Sequence, residues 1–172
     1  MRVKRHIISL SIIFLTAVFI LNEINRYILE EKLSNIKYSD AQINDFLLIG
    51  KNGDSFLLRG ERLTEKRDRI LIDIFDLDYI KEKEKFKIKA EKGIYFKNKN
   101  VLKLIKNVNI QTDRFVMKTP QLYIFTKERV AKNNSDVHLY SDRMVTTGKG
   151  VFIDLKNERM IIKNARTVFR GI

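Results

Sequence analysis

The chain of 172 residues contains no cysteine, a single proline and only two histidines. Without cysteine, disulfides, thiolate zinc sites and cysteine nucleophiles are excluded. His6 and His138 lie far apart in the sequence, and they assemble neither a nucleophile–base pair nor a metal triad convincingly. The sequence therefore predicts a protein that is not an enzyme and that uses no cofactor and no metal ion.

The scarcity of proline and the hydrophobic content of 44% argue against a disordered linker and provide material for a core. The formal net charge is +13, and residues 1–29 hold four of the 34 basic and one of the 21 acidic residues, which leaves +10 for the rest. Such a charge favours an anionic partner, and a lysine-rich solvated surface is the alternative explanation.

A five-residue pattern occurs four times, at spacings of 29 or 30 residues. Its first and third residues are apolar or threonine, which is the period of two expected of a strand with one buried face. Its fifth residue is small, which marks a bend. Each copy continues with a second apolar run, a polar turn and a third run, so one unit is a bent strand with its return, stacked on the next unit. The copies are residues 56–60, 86–90, 115–119 and 144–148.

Between these copies, the chain indicates further strands and turns. Residues 42–49 begin the predicted sheet, and residues 61–69 are charged and predict a loop. Up to Ile74, the isoleucines of this stretch are at even-numbered positions, as in Ile70 and Ile72, and after Ile74 the alternating apolar residues are at odd-numbered positions. This change of parity predicts a bulge near Ile74. A final return over residues 160–169 closes the chain, and no helical period is found after residue 40.

The first 29 residues predict a membrane anchor. An uncharged run of 15 residues, 7–21, follows Arg2, Lys4 and Arg5, and residues 7–29 are long enough to span a bilayer as a helix. A cleaved signal peptide is the competitor, but no small-x-small site follows Leu21. The basic flank places the N-terminus in the cytoplasm and the rest outside it, which removes most support for nucleic-acid binding. We therefore expect a flank and transmembrane anchor over 1–29, a tether over 30–41 and a β domain over 42–172.

Asp73, Asp76 and Asp78 form the most acidic cluster, which raises the question of a calcium or magnesium site. The spacing of an EF-hand is absent, and no glycine turn follows to wrap an ion. A solvated strand edge is the simpler expectation.

The repeated apolar face supports two interpretations. It can pack entirely against other protein, or it can form one wall of an apolar trough, in which each buried CH₂ of an acyl chain contributes about 0.8 kcal/mol. For the trough, the predicted lining residues are Phe56, Leu58, Ile72, Ile74, Phe86, Ile88, Phe115, Met117, Met144 and Thr146.

The order of these features resembles the LptC family of the lipopolysaccharide export machinery. The matching segments are the N-terminal anchor and residues 89–95, 104–108, 118–122 and 147–150. The resemblance implies an open, twisted β-jelly roll in the periplasm, tied to the inner membrane by one transmembrane helix. It also implies association with the ABC transporter subunits LptB, LptF and LptG and with the periplasmic bridge protein LptA.

The resulting hypothesis is a non-enzymatic carrier that takes lipopolysaccharide from the transporter, holds its lipid A acyl chains in the trough and passes it to LptA. The ends of the sheet would dock these partners by strand addition. Two alternatives remain: an envelope scaffold with a closed core, and a secreted basic domain that binds polyanions. The predicted docking residues are Phe46, Leu48, Ile161 and Val168.

Overall fold

A computed structural model describes residues 41–52, 54–81, 84–154, 156–157 and 159–170. These residues form an all-β, antiparallel sheet of ten strands and include no helix, hence none long and apolar enough to cross a bilayer. The all-β prediction is thus confirmed, whereas the predicted anchor over 1–29 and the tether over 30–40 lie outside the described residues. The strands are β1 (Ala41–Asn52), β2 (Asp54–Glu65), β3 (Arg69–Lys81), β4 (Glu84–Phe96), β5 (Val101–Thr112), β6 (Phe115–Phe125), β7 (Val130–Ser141), β8 (Met144–Asp154), β9 (Arg159–Ile162) and β10 (Arg166–Phe169).

The strands are paired in the order of the chain, from β1 to β8. The four copies of the repeat lie on β2, β4, β6 and β8, so each unit is an antiparallel pair of strands, as the spacing predicts. The final return, however, is not one strand. β9 pairs with the second half of β8 and β10 with the first half, so the last strand is interrupted between Ile162 and Arg166.

The long strands are irregular near their middles, and these irregularities line up across the sheet. The φ angle is positive at Asp45, Ile74, Lys106, Gly150 and Asn164, and the strand register shifts in each pairing from β4 to β8. Such bulges bend a strand and change which residues face inward. We call this line the corner. The change of parity predicted near Ile74 is confirmed, because its φ is 54° and Phe75 is buried after it. The predicted bulge is not found, since both pairings of β3 keep their register across Ile74.

The corner divides the sheet into two halves. Wall A contains the repeat copies and the strand segments paired with them, and wall B contains the segments on the other side of the corner. A row of paired inward residues crosses wall A through Leu48, Leu58, Leu77, Ile88, Ile110, Met117, Leu139 and Thr146. A second row crosses wall B through Leu63, Ile72, Gly93, Leu104 and Leu122, and continues through Asn133, Val151 and Ile162.

The inner faces of both walls belong to one hydrophobic core. Ile70 and Leu104 in wall B and Val137 in wall A are completely buried, at 0% exposure. One layer of sheet does not cover its own face, and the described residues include no second layer. Wall A and wall B must therefore cover each other, which makes the molecule a sheet folded over along the corner.

The small residues at the end of each repeat copy allow this fold. A Cβ atom on Gly60 would lie 2.5 Å from the Phe46 ring, and a Cβ atom on Gly148 would overlap the Ile162 side chain. Ala90 is buried at the equivalent position of β4. At Gly60 and Gly148, the fifth residue is small because a neighbouring side chain crosses the strand there, next to the corner.

The loop predicted over residues 61–69 is wrong for its first half. β2 continues to Glu65, and Leu63 and Glu65 face inward on wall B. Glu61 and Arg62 are exposed. The charged outward residues hide the alternation that marks this strand.

Candidate functional site

Most of the predicted trough residues lie on the inner face of the folded sheet. Leu58, Ile88, Met117 and Thr146 lie in the wall A row, each between 1% and 7% exposed. Phe86 stacks against Tyr79 with ring centroids 6.1 Å apart, one step nearer the turns of wall A. These contacts place the repeated apolar positions on one continuous surface.

Ile72 is buried too, but in the row of wall B that faces this surface. The trough prediction therefore combines residues from both walls. Phe115 and Met144 are partly buried where their strands begin, next to the turns of wall A. Phe56 lies opposite Tyr79 in the register, and its side chain is outside the described set.

Ile74 does not belong to this surface. Its side chain is 44% exposed, because the positive φ at this residue forms the corner of β3 and reverses the alternation. Phe75, the next residue, is buried in its place. The assignment of Ile74 to the trough is corrected accordingly.

Sequence reasoning missed three of the eight residues in the wall A row. Leu77, Ile110 and Leu139 lie on β3, β5 and β7, between the repeat copies, and each pairs with predicted residues on both sides. The repeat predicts inward residues only on the even-numbered strands β2, β4, β6 and β8. The signal for the return strands was their own alternation, for example in Leu77 and Tyr79.

Polar groups close the inner face at the turn end of wall B. The Glu65 carboxylate pairs with the Lys97 ammonium, and both side chains are largely buried. Nearby, the Tyr95 hydroxyl lies 3.4 Å from Asn100 Oδ1, and burial raises the pKa of Tyr95, partly offset by a hydrogen bond with Thr126. This end of the inner face is thus polar, while its middle is apolar.

A second polar group lies inside wall B at the corner. Asn133 is 6% exposed, and its amide donates to Thr119 Oγ1 at 2.7 Å and to the Gln121 carbonyl at 2.6 Å. Its Oδ1 accepts from the Val151 backbone N–H at 3.1 Å. Asn133 therefore joins β6, β7 and β8 where the β6–β7 ladder is interrupted beside Pro120, which has no N–H to donate.

The strands at the two ends of the sheet, β1 at one end and β9 and β10 at the other, carry most of the exposed large hydrophobic residues among the described residues. Among the described residues, β1 pairs only with β2, and β9 and β10 pair only with β8. Each of these strands has an open edge, which favours strand addition. The exposed apolar residues on these strands are Ile43, Leu47 and Ile49 on β1 and Ile161, Val168 and Phe169 on β9 and β10.

The predicted docking residues differ in position. Ile161 is 37% and Val168 54% exposed on the last strands. Phe46 is buried because its ring packs over Gly60, and Leu48 is half-buried in the wall A row. On β1, Phe46 and Leu48 therefore belong to the inner surface. The residues that alternate with them, Leu47 and Ile49, are exposed at the edge of the sheet.

The three aspartates of β3 lie in the sheet interior and not at an edge, because β3 is flanked by β2 and β4. Asp76 contacts Lys89 at 3.0 Å, and Asp78 contacts Lys87 at 3.2 Å and also pairs with Arg59. The predicted strand edge is thus wrong. These carboxylates are neutralised across strands, as opposite charges on neighbouring strands stabilise a sheet.

Comparison with protein families gives one match. The family described as "Lipopolysaccharide-assembly, LptC-related" matches residues 10–170. A comparison with curated proteins finds no match. The match extends over the whole folded sheet and over most of the predicted anchor.

Proposed function

The chain belongs to the LptC family, since the match covers residues 10–170, and we propose that it carries lipopolysaccharide along the trough between its two walls. This family consists of non-enzymatic lipopolysaccharide transport proteins, so the chain is a component of lipopolysaccharide transport. Within that role, we propose a carrier without chemistry of its own: it accepts lipopolysaccharide from the inner-membrane ABC transporter and passes it to the periplasmic bridge protein.

The continuity of the wall A row supports the carrier role most directly. From Leu48 to Thr146, one apolar or threonine side chain follows another on eight successive strands. With about 4.8 Å between strands, this row is roughly 35 Å long. An acyl chain on it would exchange water for hydrocarbon along its whole length, at about 0.8 kcal/mol per CH₂.

Lipid entry requires wall A and wall B to separate, because their side chains cover each other in the structure. A contact of wall A with an acyl chain is chemically equivalent to its contact with wall B. Acyl CH₂ groups would replace leucine, isoleucine and methionine side chains against the same surface. The phosphates and sugars would remain in water, near basic side chains of the turns. Lys97 lies at the polar end of wall B, where such a headgroup would emerge.

We propose that the open edges connect this trough to its partners. Strand addition on β1 would continue it toward the transporter, with LptF or LptG next to the chain and LptB supplying ATP hydrolysis. Strand addition on β9 and β10 would continue it toward LptA. The exposed Ile43 and Leu47 on one side and Val168 and Phe169 on the other would be covered by these contacts.

In this proposal, residues 1–29 anchor the chain in the inner membrane with the N-terminus in the cytoplasm, residues 30–41 form a tether and residues 42–172 form the periplasmic domain. The apolar run at 7–21 and its basic flank support this topology. Nucleic acid has no place in it.

Site-specific photo-crosslinking in cells tests the trough. A photoreactive amino acid at Ile88 or Met117, both buried in the wall A row, should capture lipopolysaccharide in an ATP-dependent manner. The neighbouring positions Lys87 and Lys118 point outward and are the matched controls. Capture at the controls alone, with none at the inner positions, would refute the trough.

A closed scaffold is the second candidate, and the complete burial of Ile70, Leu104 and Val137 favours it. A scaffold needs no separation of its walls. A cysteine pair that locks wall A to wall B by a disulfide, in this otherwise cysteine-free chain, discriminates the two. Export that continues with the walls locked supports the scaffold, and export that stops until reductant is added supports the carrier.

A further inference from the structure

The outer face of wall B is apolar although it does not face the core. In an antiparallel sheet with one solvated face, apolar and polar residues alternate along each strand. In wall B, β5, β6 and β8 instead have almost continuous apolar runs. One outer row crosses the sheet through Ile94, Lys103, Tyr123, Lys132, Phe152 and Ile161.

A second outer row lies beside it, one step nearer the turns. Together the two rows form what we call the outer patch, which contains four aromatic rings on β4, β6 and β8 and has one carboxylate, that of Asp154, at the end of its second row. An apolar patch of this kind on a sheet face marks an interaction surface. The second row passes through Phe96, Val101, Phe125 and Val130.

The cations of the outer patch lie over its aromatic rings. Lys103 Nζ is 5.0 Å from the centre of the Tyr123 ring, and Lys132 Nζ is 4.6 Å from that of Phe125. At the margin, Arg69 lies 5.7 Å from the Phe96 ring. Long cationic side chains that cover apolar rings present their charge at the surface.

The nearest carboxylates are already engaged by other groups. Asp154, at the end of the second row, accepts hydrogen bonds from the Asn157 amide at 2.8 Å and from two backbone N–H groups. Asp68 binds Arg69 at 2.8 Å. Wall A has one entirely polar outer row, through Asp76, Lys89, Asn109, Lys118, His138 and Thr147. Its other outer row is apolar over the last strands, through Val116, Tyr140, Val145 and Val168, and has one aromatic ring there.

The chain enters the domain on wall B. Ala41, the first residue of β1, pairs with Glu65, in the row that also contains Tyr95, the residue before Phe96. The apolar run at 7–21 therefore joins the domain at the end of wall B. A tether of residues 30–40 extends at most about 40 Å, so wall B is the part of the domain held nearest the anchor.

We propose that the outer patch of wall B rests on the headgroup layer of an anionic bilayer. Tyrosine prefers the interface between headgroups and hydrocarbon, phenylalanine inserts its ring at the boundary with the acyl chains, and lysine or arginine side chains beside them bind anionic lipid. The outer patch of wall B thus has both aromatic rings and basic side chains, and the anchor holds it close to the bilayer. The proposal rests on the anchor of the proposed function and is independent of lipid carriage in the trough.

Fluorescence quenching in vesicles tests this contact. The full chain lacks cysteine, so Ile161→Cys, on the outer patch and 37% exposed, and His138→Cys, exposed on the outer face of wall A, each accept one environment-sensitive dye. The variants are reconstituted with a lipid that carries a shallow nitroxide. In phosphatidylglycerol–phosphatidylethanolamine vesicles, we expect a blue shift and quenching at position 161 and neither at position 138.

A charge-neutralised pair tests the role of the cations. In the Ile161→Cys chain, Lys103→Gln with Lys132→Gln should lower the ratio of bound to free outer patch about 30-fold, since each basic residue contributes about five-fold near an anionic surface. Lys118→Gln with Lys149→Gln removes the same charge elsewhere and should leave the ratio unchanged.

The other outcomes overturn the proposal. Equal quenching in phosphatidylcholine would show a merely apolar contact, and no quenching at position 161 would leave the outer patch to a protein partner. Resistance of the chain to alkaline extraction reports the anchor separately. Extraction-resistant chain without quenching refutes the membrane contact alone, whereas chain that is extracted refutes the anchor of the proposed function.

Discussion

Asn133 provides the sharpest test of how the corner is held together. Its buried amide makes three hydrogen bonds, to Thr119, Gln121 and Val151, on strands β6 and β8. Each bond contributes about 1 kcal/mol to stability, so Asn133→Ala should lower the free energy of unfolding by about 3 kcal/mol. Asn134→Ala, one residue on and exposed, should change it by less than about 0.5 kcal/mol.

Urea unfolding of the full chain in detergent, followed by far-ultraviolet circular dichroism, measures both variants. A double-mutant cycle with Thr119→Val adds a second reading, because Asn133 and Thr119 are in direct contact and should couple by about 1 kcal/mol. If Asn133→Ala costs no more than Asn134→Ala, the interrupted β6–β7 ladder is stabilised by something else and this account of the corner fails.

Three further predictions follow from the core, the corner and the turns. Met117→Glu should block export and cost several kcal/mol of stability, because it places a carboxylate at a position 1% exposed among apolar side chains; normal export by a stable variant would contradict the trough. Gly60→Ala should destabilise the chain by about 1–3 kcal/mol, since the added methyl meets the Phe46 ring, and proteolysis should then begin at β1; an unchanged urea midpoint would exclude this clash. The Asn157 side chain and two backbone N–H groups hold the pKa of Asp154 below its ordinary 3.8, so its contribution to stability is present above that pH and is lost as the pH falls through the lower folded value. Asp154→Asn should therefore flatten the pH dependence of the unfolding free energy in this acid range, and identical acid profiles would refute the assignment.

The sequence predicts the fold wherever side-chain alternation is visible. The repeat locates β2, β4, β6 and β8, and the change of parity between Ile72 and Phe75 locates the corner in β3. The corner in β5 produces no change of parity in the sequence. Leu104 and Val108 are four residues apart and keep the same parity, although Lys106 and Asn107 between them both have positive φ. A pair of left-handed residues bends the strand without altering the apolar pattern.

The candidate site is predicted in part, for a similar reason. The repeated positions identify the inner surface of wall A because one strand suffices to show its alternation. The inner position of Asn133 depends on its partners in β6 and β8, which sequence order does not reveal. The outer patch was also missed, because an apolar residue on the second face of a strand resembles an ordinary core residue until the pairing shows which way it points.

The meander of β1 to β8 has a consequence for how this architecture varies in size. Every unit is paired only with the units before and after it, and each contributes its own bend, so duplication of one unit inserts two strands without changing any other pairing. Such an insertion would lengthen the folded sheet by about 10 Å at constant cross-section. Its length can thus be adjusted in fixed increments by gene-internal duplication, without a change in the residues that any one unit packs inward.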